Sequence, residues 1–415
     1  MIGKSNIVFL FLFFYLSVCA GNKKDNITIV SEKKETIVQV KPHSLGLQVD
    51  NKGVLTLHGN QFRGVGVNYF NAFYRTLKTP ALSDTSYIEG FKYLKAQHIP
   101  FVRFMACAFW PKEWNLYLTN KAEYFAKLDK LVHSAEHYGI GLIPSLFWFF
   151  QTVPDLVGEP VNQWGNPDSK TIHFMRTYTT EMVKRYKDSP AIWGWEFSNE
   201  VNLLADLPGE HLPQIAVGMG TPSVRTVADK ISTADMNIAL KEFVKTIRKY
   251  DASRIIFSGN SIPRESAYNL SYNKTWDNDK VSQYIQMLDI QNPDPLNSIT
   301  IHLYPEPEAK RFADKPVSLK EVIRLSMGEA NNKKKTLFIG EFGVSKASGA
   351  KERAGFTEML AGIEEYKVSL AALWVFDYSP QDADWNVTPN NNRKYMLEEI
   401  GALNDRISNA ITPKR

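Results

Sequence analysis

The chain has 415 residues, of which 44% are apolar and 12% aromatic, and this composition predicts a globular protein with a substantial core. Its 49 basic and 44 acidic residues leave a net charge of +5, and the charges are mixed along the chain without a basic stripe. This balance argues against a nucleic-acid partner.

The N-terminus is typical of a secretion signal. Lys4 precedes the apolar run Ile7–Val18, which is too short to span a bilayer comfortably. The four residues that end at Cys19 resemble a bacterial lipoprotein box, apart from Val18, and Cys19 would then carry a lipid. We therefore predict a signal peptide over residues 1–20. The mature protein would be either secreted or anchored at the bacterial cell envelope through a lipid on Cys19.

Residues 21–43 are polar and rich in lysine, which predicts a linker between the signal and the folded part of the chain. Beyond the signal the only cysteine is Cys107, so the mature chain has no intramolecular disulfide available. We expect Cys107 to pack as a small apolar residue and the fold to depend on its core.

Strand-like and helix-like segments then alternate over residues 44–415. A hairpin is predicted first, from Leu47–Asp50 and Val54–Leu57 around a turn at Asn51-Lys52-Gly53. Eight further strands are mostly continuous apolar runs, as expected when both faces are covered. They are Phe62–Asn68, Phe101–Ala106, Gly141–Trp148, Ala191–Glu200, Arg254–Asn260, Ser298–Pro305, Thr336–Gly343 and Leu370–Ser379, with amphipathic runs at Asp84–Gln97, Lys121–Tyr138, Ser169–Tyr186, Asp235–Tyr250 and Ser318–Ala330.

This alternation predicts an α/β fold, a (β/α)8 TIM barrel with a short N-terminal β-hairpin, which we expect to be a monomer. A doubly wound open sheet is the alternative, but it would normally show a glycine-rich phosphate loop after the first strand, and the sequence has none. The long connections Val201–Thr233 and Ser261–Asp279 follow the carboxyl ends of strands. We therefore expect both on the catalytic face.

Two of the predicted strands carry glutamates at their carboxyl ends, Glu200 and Glu341. Two carboxylates that face one cleft are what the hydrolysis of a glycosidic bond needs. The other strand ends are also polar or aromatic, and they supply neither a metal-ligand cluster nor a cofactor motif, so we expect no metal ion and no cofactor. These residues are Asn68, Arg103, Trp148, Asn199, Asn260, His302, Tyr304 and Trp374.

In these motifs the chain resembles glycoside hydrolase family 5, of the retaining barrel glycosidases of clan A. The resemblance runs from about Leu45 onward and is carried by Gly66-Val67-Asn68, Arg103, Trp195-Glu196-Phe197-Ser198-Asn199-Glu200, His302-Leu303-Tyr304, Gly340-Glu341-Phe342-Gly343 and Trp374.

The resemblance implies a role for each matched residue. Glu200 would be the general acid/base and Glu341 the nucleophile. Arg103 and Tyr304 would keep Glu341 ionised and oriented, and His302 would lie near the acid/base. Asn199 would hydrogen-bond the 2-hydroxyl group of the reacting sugar, Asn68 would belong to the same substrate-binding set, and Trp374 would form the floor under that sugar.

Three further expectations concern Glu200, Trp148 and Glu196. Burial and the charge of Glu341 should raise the pKa of Glu200, because an acid must hold its proton near neutral pH. Trp148, in an aromatic stretch with Phe149, should stack under a neighbouring sugar. Glu196 should be a structural residue.

The sequence thus predicts a retaining β-glycosidase that acts on a β-linked polysaccharide or oligosaccharide, either β-mannan or β-glucan. A transglycosylase with the same glutamate pair and a non-catalytic carbohydrate-binding barrel are the alternatives. A metal-dependent barrel hydrolase is disfavoured, because no His/Asp ligand set follows the strands.

Overall fold

The structure, a computed structural model, describes residues 45–78, 84–209, 211–305 and 311–411. The predicted signal peptide, Cys19 and the linker lie outside the described residues and stay predictions. The first described elements form a small antiparallel sheet, which includes the predicted hairpin. Its strands are β1 (Leu47–Val49), β2 (Leu55–Leu57) and β3 (Asn60–Gln61).

The second sheet confirms the predicted barrel. Its eight strands are buried along their whole length, which explains why they are continuous apolar runs in the sequence. They are β4 (Gly64–Asn68), β5 (Phe101–Met105), β6 (Gly141–Phe147), β7 (Gly194–Ser198), β8 (Ile255–Phe257), β9 (Ser298–Leu303), β10 (Thr336–Phe342) and β11 (Leu370–Leu373). They pair in parallel in the order β8-β7-β6-β5-β4-β11-β10-β9, which nearly closes the barrel.

Helices connect the barrel strands, and each of the five predicted amphipathic runs is helical. The α-helices of the described residues are α1 (Tyr74–Lys78), α2 (Tyr87–Ala96), α3 (Asn115–Thr119), α4 (Lys121–Tyr138), α5 (Thr152–Val157), α6 (Lys170–Tyr186), α7 (Thr233–Arg248), α8 (Val281–Ile290), α9 (Leu319–Asn332), α10 (Glu352–Glu365) and α11 (Tyr395–Ile411). None of these described helices is long and apolar enough to cross a membrane.

The start of α7 shows how the sequence sets a helix boundary. The prediction placed the first residue at Asp235, but the helix begins two residues earlier, at Thr233. Ser232 caps it, because its hydroxyl oxygen accepts a hydrogen bond from the Asp235 N–H group, and the Asp235 carboxylate accepts one from the Ser232 N–H group. Such a reciprocal cap satisfies two donors that the helix itself leaves unpaired.

The small sheet covers the amino-terminal end of the barrel. Leu47 and Leu55 are buried in one cluster with Phe101, Phe338 and Leu370, which belong to the first three residues of their strands. The Leu47 N–H group also donates a hydrogen bond of 2.7 Å to the carbonyl oxygen of residue 193, just before β7. A functional site must therefore open at the opposite end, where the strands finish.

Cys107 follows β5 and is a free, buried thiol. Its sulfur accepts a hydrogen bond of 3.4 Å from the Trp148 N–H group. Burial raises the pKa of this thiol to about 12, so it is protonated at neutral pH and unsuited to act as a nucleophile.

Candidate active site

The carboxyl ends of the barrel strands meet around a cleft of about 420 Å³. Both strand-ending glutamates line it, together with a set of aromatic side chains. The lining residues are Phe70, Phe109, Trp148, Asn199, Glu200, Tyr304, Glu341, Trp374, Tyr378, Gln381 and Trp385, and we call this space the Trp374 lobe.

A second space of about 280 Å³ adjoins the Trp374 lobe and shares Glu200 and Tyr304 with it. Its other lining residues come mainly from the loops after β7, β8 and β9, including parts of both long connections. They are Leu203, Ser261, Ile262, Pro263, Arg264, Glu265, His302, Leu303 and Arg311, and we call this space the Arg264 lobe.

Glu341 is held by two donors at the end of β10. Arg103 Nη1 donates to its Oε1 atom at 2.8 Å, and the Tyr304 hydroxyl donates to its Oε2 atom at 2.6 Å. The Glu341 side chain is only 6% exposed, so few water molecules compete with these bonds. The carboxylate is fixed in orientation and its negative charge is partly compensated.

Arg103 organises the floor of the site. Its Nε atom donates to both oxygens of Glu196 at 2.8 and 2.9 Å, and its Nη1 and Nη2 atoms donate to the side-chain oxygens of Asn68 and Asn199 at 3.0 and 2.8 Å. Burial lowers the pKa of Arg103, but the attraction of Glu196 and Glu341 outweighs it, so the pKa lies above its ordinary value. Arg103 is therefore a permanent cation beneath Glu341.

Glu196 is placed by the alternation of β7. It and Arg103 are fully buried, and the two form an ion pair inside the barrel. Removal of one partner from a buried pair leaves an uncompensated charge, at a cost of about 3–5 kcal/mol. The structure gives Glu196 the structural part that the sequence predicted, and it adds the partner, which the sequence did not identify.

Glu200 follows β7 in an unusual backbone conformation, with φ of 53° in the left-handed region. Its N–H group donates to the Gly259 carbonyl oxygen at 2.8 Å, which ties the residue to the loop after β8. A side chain at Gly259 would collide with the Ser198 carbonyl oxygen, so this close approach of two strand ends requires glycine. Strained backbone of this kind is common at functional sites.

The prediction that the pKa of Glu200 is raised is wrong. Burial raises its pKa, but hydrogen bonds from His302 and Ser261 and the attraction of His302 outweigh burial, so the pKa lies below its ordinary value. His302 Nδ1 is 2.9 Å from Glu200 Oε1. The expected rise is therefore absent here, because two donors favour the ionised form.

His302 is fully buried, and its Nδ1 atom is also 3.6 Å from Glu341 Oε2. Its other ring nitrogen, Nε2, has no hydrogen-bond partner within the described residues. It lies against Gly340, where an added Cβ atom would approach Nε2 to 2.9 Å. This arrangement fits an imidazole whose proton is on Nδ1 and is donated to Glu200.

The two glutamates are close together. One carboxylate oxygen of Glu200, one ring nitrogen of His302 and one carboxylate oxygen of Glu341 all lie within 4.8 Å of one another. This spacing is also compatible with a cation. Arg103 already supplies a positive charge 2.8 Å from Glu341, however, and would repel a metal ion at that position.

Trp374 and Trp148 stand side by side in the cleft. Their ring centroids are 6.0 Å apart with an interplanar angle of 24°, and Trp374 Nε1 donates to Gln381 Oε1 at 2.9 Å. The Arg103 guanidinium lies 4.4 Å from the centre of the Trp148 ring. Trp148 thus lies beside Arg103 and the glutamate pair, because β6 ends at Phe147 and delivers the next residue beside β5. Its stacking under a neighbouring sugar stays a prediction.

The sequence did not single out several lining residues. Phe70, Phe109, Tyr378 and Gln381 all lie beyond strand ends, in loops whose direction the residue pattern does not reveal. Phe70 carried the clearest signal, since it follows the strand end at Asn68 by two residues. Phe149, next to Trp148, stacks on Phe109 with ring centroids 4.6 Å apart.

The long connection Val201–Thr233 contributes Leu203 to the Arg264 lobe, and its distal part packs beside the Trp374 lobe. The Met219 carbonyl oxygen accepts a hydrogen bond from the Lys112 N–H group at 3.0 Å, and the Gln214 carbonyl oxygen accepts one from Gln151 Nε2 at 3.0 Å. The connection therefore supports the catalytic face.

Comparison with known structures finds proteins of similar fold. An endo-1,4-β-mannanase from Rhizomucor miehei is 17% identical, with a TM-score of 0.62 over 88% of this chain and 99% of that one. A family 5 mannosidase from the same organism is 13% identical, with a TM-score of 0.59 over 89% and 100%. An endoglucanase from Pseudomonas stutzeri is 16% identical, with a TM-score of 0.51 over 81% and 93%.

A search of curated protein sequences finds no significant match. Residues 58–379, in contrast, match the model of the cellulase family, glycosyl hydrolase family 5, and this span contains the eight barrel strands and both glutamates. The chain therefore belongs to glycosyl hydrolase family 5 and is a glycoside hydrolase.

Proposed function

We propose that the protein is a retaining β-glycosidase that cleaves β-mannan or β-glucan, or oligosaccharides derived from them, by double displacement. The observation that carries this proposal is the approach of the Glu200 and Glu341 carboxylates to within 4.8 Å in one cleft. Retaining pairs are about 5–5.5 Å apart, whereas inverting pairs are about 6.5–9.5 Å apart to admit a water molecule.

In the first step, Glu341 attacks the anomeric carbon while Glu200 donates its proton to the glycosidic oxygen. The bond to the leaving group breaks, and a glycosyl ester forms on Glu341. Arg103 and Tyr304 support this role, because they orient the Glu341 carboxylate through both of its oxygens.

In the second step, Glu200 takes a proton from water, which attacks the same carbon and releases Glu341. The donors on Glu200 suit this step, since His302 and Ser261 stabilise the carboxylate that must act as the base. The substrate-free site holds Glu200 in its base form more readily than in its acid form. Exclusion of water by the bound sugar would favour the protonated form for the first step.

The floor of the Trp374 lobe fits a neutral sugar ring. Trp374 and Trp148 present broad apolar faces, which pack against the C–H faces of pyranose rings. Several of the similar structures are mannanases or mannosidases and one is an endoglucanase, which agrees with the two substrate classes proposed.

The test is product release from a panel of β-mannan, glucomannan, cellulose and mixed-linkage β-glucan, followed by proton NMR of the fresh product. We expect release from a mannan or a glucan, with the β anomer appearing first and the α anomer only by mutarotation. An initial α product would contradict double displacement. Release of longer oligosaccharides in place of hydrolysis products would favour a transglycosylase.

We also propose that the protein is exported, on the basis of Lys4 and the apolar run Ile7–Val18. Mass analysis of the mature N-terminus from a bacterial host would separate the two routes. A lipid on Cys19 would identify an anchored protein, and a free N-terminus after cleavage would identify a secreted one.

A further inference from the structure

The two lobes of the cleft have different parts in the proposed reaction, on which this inference rests. Glu341 must reach the anomeric carbon, so the reacting sugar occupies the Trp374 lobe, which contains both glutamates. The Arg264 lobe contains Glu200 and not Glu341. Since Glu200 protonates the glycosidic oxygen, the leaving group extends into the Arg264 lobe.

The chemistry of the lining changes between the lobes. The Trp374 lobe is lined by six aromatic rings besides that of Tyr304, and its charged lining residues are the two glutamates. Among the described residues, the Arg264 lobe is lined by no Phe, Tyr or Trp side chain apart from Tyr304, and two arginines, Arg264 and Arg311, line it. Aromatic faces suit neutral pyranose rings, whereas guanidinium groups suit carboxylates and sulfates.

Arg264 is anchored at one end only. Its Nε atom donates to the Leu203 carbonyl oxygen at 2.5 Å, which fixes the side chain against the loop after β7. Within the described part of the chain, its two terminal nitrogens have no hydrogen-bond or ion-pair partner. The side chain is half-buried, and the negative charges of Glu265 and Glu200 act on it from a distance.

Arg311 also lines the lobe. It is buried, donates to the Pro263 carbonyl oxygen, and lies 3.9 Å from the Glu265 carboxylate. The Glu265 side chain is 47% exposed, so solvent weakens its attraction for Arg264.

We propose that the Arg264 lobe binds a leaving group that bears a negatively charged substituent, either a carboxylate or a sulfate, and that the terminal nitrogens of Arg264 bind this substituent. A guanidinium group offers two parallel donors to such an anion. The substrate would then be a β-mannan or β-glucan chain, or an oligosaccharide derived from one, whose reacting sugar is neutral and whose next sugar carries the acidic substituent.

Binding can be measured separately from catalysis. The probes are methyl β-D-glucuronide, methyl β-D-glucoside 6-sulfate and methyl β-D-glucoside, each titrated into the full-length protein and followed by NMR or calorimetry. We expect at least one anionic probe to bind about tenfold more tightly than the neutral probe. The preferred anion identifies the carboxylate or the sulfate as the substituent.

Variants test whether Arg264 is responsible for the preference for an anionic probe. Arg264→Gln should abolish it, and Arg264→Lys should retain part of it. Arg324→Gln, which removes the same charge from an exposed pair with Glu321 on α9, should leave it unchanged. A melting temperature for each variant guards against loss of the fold, and the comparison of the three probes on the unmodified protein decides the matter even if Arg264→Gln does not fold.

Three results would overturn the proposal: equal binding of the three probes, no measurable binding of either anionic probe, or a preference that survives in a folded Arg264→Gln protein. The proposed function fails on different grounds. A protein that prefers the anionic probes through Arg264 but releases no sugar from any polysaccharide would refute only the hydrolase proposed above.

Discussion

Removal of the Ser261 hydroxyl should make Glu200 a better acid at high pH. Ser261 and His302 both donate to Glu200, and together they hold its pKa below the ordinary value against the effect of burial. The main chain of Ser261 is fixed independently, because its N–H group and carbonyl oxygen both bond to the Asn202 side chain, at 2.9 and 2.8 Å. Ser261→Ala should therefore delete one donor without moving the loop.

The size of the effect follows from the exposure of Glu200. A hydrogen bond to a charged group contributes about 1.5–3 kcal/mol when nothing replaces it. The Glu200 side chain is 31% exposed, so water can replace part of the lost bond. We expect a net change of about 1 kcal/mol, which alters the protonation equilibrium of Glu200 about fivefold.

The direction in which the pH profile moves follows from the role of Glu200 as the acid. Loss of a donor to the carboxylate raises the pKa, so the proton stays on Glu200 to higher pH. The basic limb of the kcat/KM profile on a polysaccharide should then move to higher pH, and activity on that limb should exceed that of the unmodified enzyme about fivefold. Ser253→Ala, at the opposite end of the barrel, is the matched control. A basic limb that stays in place or moves to lower pH would refute this reasoning.

The remaining predictions concern the glutamate pair and Trp148. Glu341→Gln should abolish turnover of every substrate, including an activated aryl glycoside, because no nucleophile remains. Glu200→Gln should still form the glycosyl-enzyme from that aryl glycoside, because a good leaving group needs little protonation, and mass spectrometry should show the added sugar. Near-normal turnover of polysaccharide by both glutamate variants would contradict the assignment. Trp148→Ala should reduce activity on polysaccharide and on the short aryl glycoside alike, because the ring packs on Arg103 at the reacting centre, and loss on polysaccharide alone would place it at a neighbouring subsite.

Local patterns in the sequence were sufficient to predict the barrel. Apolar runs of strand length, such as Thr336–Gly343, can be buried on both faces only in a sheet covered by helices, and their regular alternation with amphipathic runs leaves few folds to choose from. Because barrel strands all run in one direction, the polar residues at their ends had to meet on one face. The meeting of Glu200 and Glu341 was thus predictable from the order of the chain.

The environment of each residue was decided by the tertiary structure. Glu200 is bonded to His302, which lies 102 positions along the chain, and the low pKa of the carboxyl group results from that contact and the one with Ser261. The Arg103–Glu196 pair and the position of Trp148 beside Arg103 likewise depend on which strands are neighbours and on how far each one extends. A sequence pattern fixes which face of a strand a residue occupies, but a pKa or a contact depends on distances of a few ångströms between remote segments, and only the packed barrel sets those distances.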